Sequence, residues 1–137
     1  MKIRSDFVTN SSSSSFIICF ARIADNNKAN DILKKYPDIE VYTGEEVMQR
    51  IKNSRWGNWL EYDWAGIDVT PDKDYIETNI DNSFIVYSDM FDLYEDDDGE
   101  IDYDVDYDDF DTTVFDCITE KNGFSDVELQ YGAGRNG

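Results

Sequence analysis

Thirty-one of the 137 residues are Asp or Glu, so carboxylates are the groups with which this chain could do chemistry. Their most ordered arrangement is Ile101-Asp102-Tyr103-Asp104-Val105-Asp106-Tyr107-Asp108. In a strand, successive side chains point to opposite faces. Ile101, Tyr103, Val105 and Tyr107 would then pack inward, and Asp102, Asp104, Asp106 and Asp108 would form an outer row spaced ~6.7 Å apart. Carboxylates in file repel, and Asp is a poor strand former. A merely solvated face could use Thr, Ser and Lys and avoid that cost. One strand of DNA carries a charge every ~3.4 Å along the helix axis, about twice the density of this row. Asp96, Asp97, Asp98, Glu100, Asp109 and Asp111 stand beside it to supply the rest. The chemistry is that of a phosphate backbone offered to a basic groove. The plain alternative is an acidic solubilising face.

The same carboxylates raise the question of metals. With Gly99 at the sixth position of an EF-hand loop, Asp96 and Asp98 fill the third and fifth. Tyr94 then takes the first and Val105 the twelfth, where ligands are required, so only weak Ca²⁺ or Mg²⁺ binding remains. Paired Mg²⁺ ions on aspartates would support phosphoryl chemistry. A metal-dependent hydrolase acting on a polyanion must also attract it, and residues 61–137 hold only Lys73, Lys121 and Arg135 as cations. The chain has no histidine, which excludes Ser-His-Asp and Cys-His catalysis and His-ligated zinc. No Gly-rich phosphate loop or nucleophile elbow is present. The expectation is a binding protein, not an enzyme, with no cofactor.

Charge is divided unevenly. Residues 1–60 carry nine basic and seven acidic residues, net +2, whereas residues 61–137 carry three basic and 24 acidic, net −21. Between positions 89 and 116 there are 14 acids and no Lys or Arg. With a formal charge of −19, direct nucleic-acid binding is not expected, because it depends on cations that release counterions. Crowded carboxylates are expected to titrate high and to cost stability once ionised. The longest apolar run, residues 16–21, is six residues, far short of the ~20 that span a membrane. No signal peptide is read at the N-terminus. Cys19 and Cys117 sit among apolar neighbours and read as buried thiols. The expected location is the cytoplasm.

A second constellation is Arg55-Trp56-Gly57-Asn58-Trp59-Leu60-Glu61-Tyr62-Asp63-Trp64, which holds all three tryptophans. Core packing is one reading. An exposed aromatic anchor, with Trp56 and Trp59 at its centre, is the other, since Trp, Tyr and Arg dominate binding hot spots.

The chain opens Lys2-Ile3-Arg4-Ser5-Asp6-Phe7-Val8-Thr9-Asn10, followed by Ser11 to Ser15 and Phe16. This opener resembles the start of a set of mostly uncharacterised phage and bacterial proteins, in which a basic start and Phe-Val precede an Asn-Ser-Ser-Ser-Ser-Ser-Phe stretch. The resemblance covers roughly the first 20 residues and implies a phage or mobile-element setting without any activity. In size and acidity alone, the chain is also similar to phage anti-restriction and anti-CRISPR proteins that mimic DNA.

The elements that must position these groups follow from periodicity. Residues 1–15 read as a Ser-rich arm. Phe16 to Ile23 reads as a buried strand, and Asp25 caps a helix to about Tyr36 with Ala29, Ile32, Leu33 and Tyr36 on one face. Ile39 to Tyr42 is a short strand. Thr43 and Glu46 fit a capping box opening a helix that buries Val47, Met48 and Ile51 and ends near Asn53. Residues 68–80 read as irregular. Ser83 to Ser88 is a strand, and residues 83–108 form an acidic hairpin turning at Asp96-Asp97-Asp98-Gly99. Asp111 caps a short helix stopped by Asn122-Gly123. Phe124 to Tyr131 is the last strand, and residues 132–137 are a loose tail.

The whole is expected to be an α+β single domain over residues 16–131, a mainly antiparallel sheet with two to three helices. The function this implies is an acidic inhibitor that mimics nucleic acid and occludes the basic cleft of a nucleic-acid-handling defence protein. The competing expectation is a structural or virion accessory protein whose acidic face contacts a basic partner or cations.

Overall fold

The computed structural model describes residues 12–53, 59–62, 67–92 and 105–136. Six strands and three helices occur among them: β1 (Ser12–Ile23), α1 (Asn26–Lys35), β2 (Glu40–Thr43), α2 (Gly44–Lys52), β3 (Trp59–Tyr62), β4 (Ile67–Asp72), α3 (Lys73–Thr78), β5 (Ser83–Asp92) and β6 (Phe124–Asn136). The main sheet has the order β2-β5-β1-β6 with every neighbour antiparallel. β3 and β4 form a separate antiparallel pair. This is the α+β, mainly antiparallel architecture the periodicity predicts.

β1 is an inner strand whose two faces are covered by separate layers, and its sequence is correspondingly a continuous apolar run. Phe16, Ile18 and Phe20 point to one side, where they meet Phe84 and Val86 of β5, Val47, Met48 and Ile51 of α2, and Ile76 of α3. Ile17, Cys19, Ala21 and Ile23 point to the other side, against Ala29 of α1, Ile85, Phe110, Phe115, Ile118 and Phe124. Ile32, Leu33 and Tyr36 pack partly buried on this second cluster, completing the predicted α1 face. The molecule is thus a three-layer stack with β1 as its axis.

The predicted caps are in place. The Asp25 carboxylate accepts from the N–H groups of Asn27 and Lys28 at 3.0 and 3.2 Å. Thr43 Oγ1 accepts from the Glu46 N–H at 3.1 Å, and Glu46 Oε1 accepts from the Thr43 N–H at 3.0 Å.

Four expectations about extent are corrected. Ser12 to Ser15 are strand rather than arm: Ser14 pairs with Asp92 on one side and Gly134 on the other, and Ser15 is fully buried. The loose tail is also strand as far as Asn136. Small residues oppose the serines here, Ala133 against Ser15 and Gly134 against Ser14, and neighbours on both sides satisfy the backbone that composition alone leaves open. Residues 68–80, read as irregular, contain most of β4 and the whole of α3. The strand expected to run through Asp108 is absent from residues 105–109, and Tyr107–Asp109 is instead a 3-10 turn. Asp96, Asp97, Asp98, Glu100, Asp102, Asp104 and Trp56 lie outside the described residues.

Candidate functional site

The second face of the sheet is covered by the stretch from Val105 to Asn122, which contains no strand and no α-helix but three 3-10 turns. Aspartate explains the choice, because its short carboxylate competes for backbone N–H groups that a ladder would use. Asp109 Oδ2 accepts from the Asp106 N–H at 2.8 Å, and the Asp109 N–H donates to the Asp106 carbonyl at 3.0 Å. Asp111 Oδ1 accepts from both the N–H and the hydroxyl of Thr113, at 3.1 and 2.7 Å. In place of the helix expected after Asp111, the 3-10 turns Phe115–Cys117 and Glu120–Asn122 lead to Gly123.

The in–out alternation survives without the strand. Val105 and Tyr107 are half-buried against the core while Asp106 and Asp108 are exposed. Asp109 and Asp111 are exposed as well. Tyr107 is anchored through its hydroxyl, which donates to Asp116 Oδ1 at 2.8 Å, and Asp116 Oδ2 accepts from the Thr112 hydroxyl at 2.9 Å. Burial first, then the hydrogen bond to Asp116, pushes the Tyr107 hydroxyl up to about 12.

Other acids join this face from distant parts of the chain. Burial raises the titration of Tyr87 on β5, and the carboxylates of Asp89, Asp38 and Asp111 raise it further. Three separate segments therefore place negative charge around one hydroxyl: β5, the turn before β2, and the stretch after β5. The expectation that crowding raises carboxylate titration is not met at Asp111 and Asp126. Asp111 is lowered, chiefly by the Thr113 hydroxyl, and Asp126 by the Tyr75 hydroxyl.

A cluster that sequence reasoning missed lies on the first face. Tyr75 Oη donates to Asp126 Oδ2 at 2.5 Å, and Arg22 Nε donates to the same oxygen at 3.2 Å. The β1–β6 register shifts between Phe20 and Arg22, so that Phe20 pairs with Glu128 and Arg22 with Ser125. Asp126 occupies the resulting bulge with φ of 54°, a left-handed conformation that Asp tolerates better than most residues. Bulges re-aim side chains, and a one-residue insertion leaves no trace in a period-two pattern.

Of the aromatic constellation, Trp59 begins β3 opposite Asp72, and β3 runs beside α2. Among the described residues no three carboxylates or thiols converge to hold a metal ion. Both cysteines are free thiols. Cys19 is buried on the second face and its thiol is pushed up to about 12 by that burial, far from the range of a nucleophile at neutral pH. No helix among the described residues is long and apolar enough to cross a membrane. The chain matches no protein-family model, and neither a curated protein nor a solved structure is significantly similar to it.

Proposed function

We propose that the chain is an acidic protein-binding module that occupies the basic cleft of a nucleic-acid-handling protein and so excludes nucleic acid from it. The observation that carries this reading is the charge partition, a net of −21 over residues 61–137 against +2 over residues 1–60. Supporting it, Asp106, Asp108, Asp109 and Asp111 are exposed, and Asp111 shares the surroundings of the Tyr87 hydroxyl with Asp38 and Asp89. A field of one sign on one face speeds encounter with a basic surface and rejects acidic ones. The opener's resemblance to phage proteins makes a bacterial defence nuclease the partner class to test first.

The test is an affinity capture from bacterial lysate at low and high ionic strength, with duplex DNA as competitor, using the chain and its Asp102→Asn/Asp104→Asn/Asp106→Asn variant. The reading expects one captured protein with a basic groove, loss of capture in high salt, displacement by DNA, and weaker capture by the variant. Each lost charge pair is worth ~0.5–2 kcal/mol. Undiminished capture by the variant, or capture that DNA does not compete, overturns it in favour of a structural or assembly component whose acidic face contacts a basic partner.

A further inference from the structure

Tyr131 is the one aromatic among the five large apolar residues that stand exposed among those described, and 42% of it is open to solvent. It lies on β6 opposite Ile17, which pairs on its other side with Asp89 of β5. The three residues therefore share the second face in one row, with Asp89 about 10 Å from Tyr131 by two strand spacings. Two further rings back the exposed one. The Tyr107 centroid is 6.2 Å away at an interplanar angle of 55°, and the Phe110 centroid 6.4 Å away at 67°. Neither stacks in parallel on Tyr131, and Asp116 holds the Tyr107 hydroxyl in place. Asp106 and Asp108 flank Tyr107 in the chain, Asp109 and Asp111 flank Phe110, and all four are exposed. None of the four is paired with a Lys or Arg among the described residues.

An exposed aromatic ring thus stands near carboxylates that lack a counter-charge of their own, and this combination discriminates between cations. An ammonium is a compact, strongly hydrated point charge, for which carboxylates suffice. A guanidinium is planar and weakly hydrated, so it stacks on an aromatic face while its N–H fork engages a carboxylate. Nucleic acid offers arginine the same two groups, a base to stack on and an anionic oxygen to bond. A purely apolar side chain would meet Tyr131 but leave the acids uncompensated. A second copy of the chain would bring a further −19 against them.

We propose that Tyr131 is the stacking platform for an arginine side chain of the partner's basic groove, with the exposed carboxylates of Asp106, Asp108, Asp109 and Asp111 accepting from its N–H groups. Tyr131 then stands for a base and the aspartates for phosphates. The inference rests on the reading of the chain as an acidic module that occupies such a groove, and it names the residue type by which the partner is gripped.

The test titrates the full isotope-labelled chain with two capped peptides of equal charge at low ionic strength, one alternating Gly and Arg and the other Gly and Lys. The expected result is that the Arg peptide binds about two- to five-fold more tightly, the size of an exposed cation–π contact. Its side-chain δ protons should move upfield and show contacts to the Tyr131 ring protons. Tyr131→Leu keeps apolar bulk and should erase both the preference and the upfield shift, whereas Tyr131→Phe should retain both. Equal affinity for the two peptides, or a preference that survives Tyr131→Leu, overturns the arginine platform and leaves the acidic module standing. Binding of neither peptide overturns both. Should Tyr131→Leu fail to fold, the unmodified chain still decides: arginine contacts to the Tyr131 ring support the proposal, and arginine contacts confined to other residues overturn it.

Discussion

The Tyr75 hydroxyl donates to Asp126 Oδ2 at 2.5 Å, across 51 positions of sequence, and ties α3 to the bulge of β6. Arg22 of β1 reaches the same oxygen, so one carboxylate gathers a helix, a central strand and an edge strand. The side chain of Asp126 is 54% exposed, and solvent screens the pair accordingly. Removing the tether with Tyr75→Phe should cost about 0.5–1 kcal/mol, read as a lower chemical-denaturation midpoint. An unchanged midpoint would mean that the bulge is held by its backbone alone.

The same contact sets two pH limits of opposite sign. The Tyr75 hydrogen bond, with Arg22 after it, holds the Asp126 carboxyl below its ordinary value. Its contribution is therefore present above the unfolded value of about 3.9 and is lost as pH falls through the lower folded value. Tyr75 is pushed up from about 10 to about 12, by burial first and then by its bond to Asp126. Keeping the phenol protonated thus stabilises the fold fully below pH ~10, and that stabilisation is lost as pH rises toward ~12. Melting temperatures across both windows should show two declines, and Asp126→Asn should flatten the acid one while only diminishing the alkaline one, because the burial of Tyr75 remains. An acid limb unchanged in that variant would assign the decline to other carboxylates.

Two glycines are fixed by close approach. A Cβ on Gly44 would stand 2.1 Å from the carbonyl oxygen of Ile80, beside the point where the Gly44 N–H donates to Asn82 at 2.9 Å. Gly123 has φ of 93°, and a Cβ there would stand 2.6 Å from the Asp25 carbonyl oxygen, while its own carbonyl accepts from the N–H groups of Ala24 and Asp25. Gly44→Ala and Gly123→Ala should each destabilise by about 2–4 kcal/mol, through overlap at the first and overlap plus backbone strain at the second. Denaturant titrations check this, and a loss below about 1 kcal/mol at either site would show that the neighbouring backbone yields easily.

These positions also mark what the sequence carries and where it stops. Asn122-Gly123 is readable as a stop because only a residue free at positive φ ends a helical turn that way. Thr43 and Glu46 are readable because a capping box is local. Gly44 inside that same motif gives no warning of Ile80, since the contact depends on how α2 meets the loop after α3. The serine run misleads for a related reason. Nothing in Ser12 to Ser15 favours a strand, and its pairing partners are contributed by β5 and β6, 70 or more positions away. The aspartate alternation reports burial correctly at Val105 to Asp108 while misreporting the backbone. Packing reads only which side chains turn inward, and a 3-10 turn satisfies that as well as a strand does.

Net charge gives a prediction independent of any partner. At −19 with no histidine, the folded chain concentrates repulsion that unfolding relieves. Raising ionic strength from low to moderate should therefore raise the melting temperature, since the screening length falls to ~10 Å at 0.1 M. A flat or falling value would mean that favourable pairs such as Arg22–Asp126 outweigh the repulsion.

The acids of the 105–122 stretch divide into two kinds, and the division is testable residue by residue. Asp116 accepts from the hydroxyls of Tyr107 and Thr112 at 2.8 and 2.9 Å, so it fixes the ring that packs near Tyr131. Asp108 is exposed and accepts no hydrogen bond among those of the described residues. Asp116→Ala should therefore destabilise by about 1–2 kcal/mol, two hydrogen bonds each discounted for solvent. It should also bring the Tyr107 hydroxyl down from about 12, read as an ultraviolet phenolate titration. Asp108→Asn should leave that titration in place and raise the melting temperature slightly at low salt, because it removes charge without removing a partner. Equal losses from the two variants would mean that Asp108 is structural as well. Asp108 would then drop out of the surface available to a basic partner, and the proposed interface would contract toward Asp106, Asp109 and Asp111.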